Sequence, residues 1–205
     1  MTKNLIAFGC SLTYGEGLAD CHVPPNLPGP KPSSLAWPAR LASITGRNCV
    51  NQGYSGAGNF QIALSVLSYQ FKADDSCFIL WSYSDRDMIL HDNMSLERLG
   101  PWSYNKRWKA WNMVNPDQTK SIKFWYHVAT INSWLMTHKI PCYNLSVGLD
   151  FFKGTKPAWA ENIKFLSANI HHYREITPLA LDRLHPGPQA HEAFAHDIAQ
   201  EIGWI

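Results

Sequence analysis

The apolar positions of the chain fall into short dense runs separated by longer stretches with helical spacing. "NLIAFG", "NCVNQG", "SCFILWS" and "PCYNLSV" read as four strands. "SCFILWS" is apolar at nearly every position, which suits a central parallel strand covered on both faces. Between and after them lie helical stretches: "SSLAWPARLASITG", "NFQIALSVLSYQF", "SIKFWYHVATINSWLMTHK" and "GPQAHEAFAHDIAQEIG". The serines of the first suit its start, Pro38 its first turn and Gly46 its end. Strands alternating with helices predict a parallel sheet covered on both faces. Ligands of such sheets sit at the carboxyl ends of the strands. Ser11, the stretch from Gly53 to Asn59 and the stretch from Ser82 to Arg86 all follow predicted strands at that edge.

Two stretches break the alternation. "CHVPPNLPGPKPSS" is rich in proline and reads as a surface loop. Residues 87–116 read as an insertion after the third strand, of the kind that serves as a lid or binding loop. The expectation is one domain over residues 1–205 carrying that insertion.

Composition narrows the picture. Hydrophobic residues are 45% of the chain and charged residues 17%, which excludes a disordered polyelectrolyte. A formal net charge of +2 gives no electrostatic case for a nucleic acid or an anionic membrane. The five cysteines are scattered, with no C-x-x-C pair, and no ligand spacing points to a metal. With no apolar leader in "MTKNLIAFG", the expected setting is cytoplasmic with reduced thiols.

The candidate chemistry lies in two places. In "FGCSLTYGEG" a serine follows a strand and a glycine turn. In "LDRLHPGPQAHEAFA" Asp182 and His185 are three apart, ahead of a helix. A carboxylate at that spacing holds the imidazole Nδ1 proton and leaves Nε2 to take a proton from a hydroxyl.

With these stretches the chain resembles the SGNH, or GDSL, hydrolase family. "FGCSLTYGEG" is similar to the family's first block, "NQGYSGAGN" to the second, "ILWSYSDRD" to the third and "DRLHPGPQAHEAFA" to the fifth, in the family's order over nearly the whole chain. The resemblance implies a flavodoxin-like three-layer α/β/α sandwich. It implies ester hydrolysis through Ser11 as nucleophile, His185 as general base and Asp182 as its orienting partner, with no cofactor. The oxyanion donors it implies are the backbone N–H groups of Ser11 and Gly56 and a side chain at Ser84. A carbohydrate O-acetyl group is the substrate expected, and glycan or small-molecule esters the partners.

Two departures stand out. Cys10 occupies the usual aspartate position of the first block, and strand alternation turns it away from Ser11. Ser84 occupies the usual asparagine position of the third block. Losing one oxyanion donor costs roughly 3 to 4 kcal/mol. Asn59 is the alternative donor, or else a helix cap. Trp102, Tyr104 and Trp108 in the insertion suit sugar rings; the alternative is that Trp108 and Trp111 form one apolar face packing the insertion onto the body. His171, His172, His191 and His196 read as solvated surface or helix packing. The Ser84 departure also motivates a second reading, a weakened binding module such as a glycan-binding phage virion component.

Overall fold

The computed structural model describes residues 3–93, 95–100, 106–147 and 156–205. Trp102 and Tyr104 lie outside them.

Four parallel strands form the central sheet: β1 (Asn4–Gly9), β4 (Asn48–Asn51), β5 (Asp75–Trp81) and β8 (Cys142–Ser146), in the order β4-β1-β5-β8. The registers pair Leu5 with Cys49 on one side of β1 and Ala7 with Phe78 on the other. Every residue of β5 is buried: the apolar run from Cys77 to Trp81 is covered on both faces, and Asp75 at the strand start accepts from Asn4 Nδ2 and from Lys72 N–H. Phe165 extends the sheet by a parallel bridge to Asn144.

Helices α2 (Trp37–Ile44) and α7 (Pro188–Glu201) pack together on one face, with α6 (Ile170–Ile176) beside α7; α3 (Asn59–Ser68) and α5 (Asp117–Thr137) cover the other. The result is an α/β/α sandwich. On the α2–α7 side the core is aromatic. Trp37 meets Phe194 and Phe78 edge-on, and Phe78 stacks on Tyr143 at 4.6 Å. Burying each such ring contributes about 1.5–3 kcal/mol.

The serines expected to cap α2 do not. Its N-cap is Ala36, and the first amide, Trp37 N–H, donates to Nδ1 of buried His191 on α7 at 3.1 Å. Ser33 and Ser34 bind the Asp20 carboxylate instead. A histidine from another helix therefore does the work of a local cap, and His191 is not surface. The proline-rich loop carries a small hairpin of β2 (His22–Val23) and β3 (Leu27–Pro28). The insertion contains a second hairpin, β6 (Asp87–Leu90) with β7 (Leu96–Leu99), and a helix, α4 (Lys106–Val114). Among the described residues no helix is long and apolar enough to cross a membrane.

Candidate active site

The chain leaves β1 through Gly9 and Cys10 into α1 (Ser11–Tyr14), a single turn. Gly9 is required by close approach: a Cβ there would lie 2.9 Å from the Leu80 carbonyl oxygen and closer still to Thr13. Cys10 is wholly buried; it is the N-cap of α1 rather than a strand residue, so strand alternation does not apply to it. Ser11 is 5% exposed at the carboxyl edge, where β1 and β5 send their connections to opposite sides of the sheet. That divergence opens a crevice.

His185 reaches this edge from the loop between α6 and α7. Its Nε2 lies 3.0 Å from Ser11 Oγ, and its Nδ1 lies 2.6 Å from Asp182 Oδ2. The other Asp182 oxygen accepts the backbone N–H groups of Leu184 at 2.9 Å and His185 at 3.0 Å. Burial works to raise the Asp182 pKa. The two amides and the imidazole outweigh it and hold the carboxyl below its ordinary value. The carboxylate is thus ionised and fixed in place, and it selects the imidazole tautomer with hydrogen on Nδ1.

Gly56 lies in the turn after β4 with φ +71°. Ser84 lies in the turn after β5 and lines a narrow crevice shared with Asn59 and Phe60 of α3, Trp111 of α4 and His127 of α5. Asn59 serves neither of the roles the sequence suggested. The N-cap of α3 is Gly58. The Asn59 carboxamide accepts from Ser82 N–H at 2.8 Å and donates to the carbonyls of Ser82 at 3.0 Å and Tyr83 at 3.2 Å. Both amide hydrogens are committed to that turn, which leaves none for an oxyanion. Trp108 is half-buried in α4, and its neighbour Trp111 lies under Lys120 and Lys123 of α5.

Of the four histidines, His172 and His196 are exposed, as expected. His171 is not a surface group: its Nε2 bonds Tyr83 Oη at 2.5 Å. Burial first, then nearby cations, lowers its pKa to about 4. Among the described residues no group of histidine, cysteine and carboxylate side chains is placed to hold a metal ion. Sequence reasoning missed the Tyr83–His171 pair. An aromatic residue and a histidine 88 positions apart carry no local signal.

No family model and no curated relative matches the sequence. Solved structures do match. A protein described as lipolytic and of the G-D-S-L family, from Desulfitobacterium hafniense, superposes with a TM-score of 0.56 at 13% identity, over 98% of this chain and 99% of that one. A carbohydrate acetylesterase from Sinorhizobium meliloti gives 0.55 at 13%, over 98% and 99%. An acetyl xylan esterase from Butyrivibrio proteoclasticus gives 0.55 at 13%, over 99% of this chain but only 65% of that one. The fold of this chain is that of the SGNH hydrolases.

Proposed function

We propose that the chain is a serine hydrolase acting on esters. The observation that carries this reading is the continuous hydrogen-bonded line from Ser11 Oγ through His185 to Asp182, at 3.0 and 2.6 Å. In that reading His185 Nε2 takes the Ser11 proton as Oγ attacks the ester carbonyl. The imidazolium then gives the proton to the departing alcohol. Water, activated by the same nitrogen, releases the acid from the acyl-serine. Asp182 stays ionised throughout and balances the imidazolium.

The developing oxyanion is assigned to the backbone N–H groups of Ser11 and Gly56, with Ser84 as the third donor. As the first residue of α1, Ser11 has an N–H with no partner inside the helix. The substrate class that fits best is a carbohydrate carrying O-acetyl groups. Its support is the fold shared with esterases of that name and the aromatic residues of the insertion.

The test is a p-nitrophenyl ester series, acetyl through octanoyl, on the wild type and on Ser11→Ala. Hydrolysis by the wild type, fastest for acetyl, and its loss in Ser11→Ala is the expected result. Equal hydrolysis by both would overturn the reading, and no hydrolysis of any ester by the wild type would overturn it in favour of the binding-module alternative.

A further inference from the structure

We propose that α6 is a strut that positions the catalytic histidine, with His171 and Arg174 as its two points of attachment; this rests on the serine-hydrolase reading. The two residues are three apart, so they share one face of the helix. His171 ties that face to the turn after β5 through Tyr83 Oη at 2.5 Å. Arg174 ties it to the histidine loop: its Nε donates to the carbonyl of Leu184 at 2.9 Å.

The Leu184 carbonyl carbon is bonded directly to His185 N. Leu184 N–H is already held by Asp182 Oδ1. The residue preceding His185 is therefore gripped at its amide by Asp182 and at its carbonyl by Arg174. Apolar packing holds the ends of the loop, where Ala180 and Pro186 are buried, Ala180 beside Leu18 and Ala36. Leu184 itself is 59% exposed, so polar bonds fix the residue that precedes His185. The bond is solvent-exposed, so its part is to set the direction of the Leu184 carbonyl rather than to add much stability.

The far end of the strut is equally fixed. Asn169 caps α6 by accepting from His171 N–H at 3.0 Å. Tyr83 in turn has its backbone carbonyl held by Asn59. A connected path runs from α3 through the turn after β5, along α6, to the loop that carries His185. Burial keeps His171 neutral near neutral pH, so one ring nitrogen is available to accept the Tyr83 hydroxyl. Among the described residues, the charged and titratable groups around it include Tyr83 and Arg86 after β5, Arg174 and Glu175 on α6, and His185. A displacement of even 1 Å in a reacting group costs as much as 100-fold in rate. Both attachments therefore act on Nε2 through His185, and both are positioning residues.

The experiment compares wild type, Arg174→Ala, Arg174→Lys, His171→Ala and Tyr83→Phe on p-nitrophenyl acetate. The downfield proton resonance of the His185–Asp182 bond is read alongside. The strut predicts that Arg174→Ala and His171→Ala lower kcat by about 10- to 100-fold. KM should stay within about twofold, and the resonance should shift or broaden. Arg174→Lys, which keeps a cationic donor, should recover part of kcat. A merely structural role would lower the melting temperature while leaving kcat and the resonance as in the wild type, and that result overturns the strut. If Arg174→Ala does not fold, Arg174→Lys and Tyr83→Phe, each a smaller change, carry the same comparison. Ser11→Ala separates the two readings. Retained hydrolysis there removes the serine hydrolase itself. Loss of hydrolysis there, with wild-type kcat in the α6 variants, removes only the strut.

Discussion

Gly17 lies with its Cα directly against the carboxylate of Asp182: a Cβ at Gly17 would fall 2.5 Å from Asp182 Cγ. Its φ of +83° also lies where only glycine is comfortable. Gly17→Ala should therefore both strain the backbone, by about 1–3 kcal/mol, and push the carboxylate off His185. Thermal melts and kcat on a short ester measure the two effects separately. A variant destabilised but fully active would mean that Asp182 moves without consequence for His185.

Asn59 holds three backbone groups of one turn, so its loss should be felt beyond its own volume. Asn59→Ala should cost about 1–3 kcal/mol. Asn59→Asp should cost more, because a buried carboxylate would face the Ser82 and Tyr83 carbonyls it now donates to. Protonation restores a donor, so its folded-state pKa would be raised and the deficit should shrink as pH falls. Urea unfolding at pH 5 and pH 8 compares the two; an aspartate variant equally stable at both would contradict the bonding described.

Ser84 has a short side chain where a longer amide donor would reach farther. Ser84→Asn should leave kcat on p-nitrophenyl acetate unchanged or raise it, and Ser84→Ala should lower kcat with little change in KM. A silent Ser84→Ala would move the third donor elsewhere in the turn.

Buried His191 has its pKa lowered to about 3, by burial first and then by the neighbouring His185 and Arg40. In the unfolded chain it titrates near the free value of about 6.5. Between these limits the unfolded state binds the extra proton, so this contribution to stability falls as pH drops below about 6.5 and levels off near the folded value. His191→Gln keeps an acceptor for Trp37 N–H and removes the titration. Its urea midpoint should fall less steeply than the wild type's from pH 6.5 to 4.5. Parallel curves would place the acid sensitivity in other groups.

The long elements were legible because they bury a continuous face. β5 is apolar from Cys77 to Trp81, and α3, α5 and α7 show helical spacing over enough turns to stand out. The three residues of the hydrogen-bonded line were legible because each sits in a short local pattern. The structure brings Ser11 and His185 together from 174 positions apart. The missed features are short or nonlocal. α1 is a single turn of four residues, too short to show a helical period in the sequence. α6 is seven residues long, and its worth lies in partners far away in the chain. The cap of α2 comes from α7, so its own serines misled. Asn59 had a plausible local role as a cap, and its real partners lie 23 and 24 positions downstream.

The two halves of the hydrogen-bonded line are built from parts of unequal durability. Ser11 grows out of β1, which has a strand on each side and opens only when the sheet does. His185 rides on a loop with outward-facing leucines, anchored by a handful of polar bonds. Such loops open at a fraction of the global free energy. Urea too dilute to melt the sheet should already release the loop. Hydrogen exchange would then show β1 amides protected to the global limit while those of 179–185 exchange early, and the site would fall silent in a molecule that is still folded.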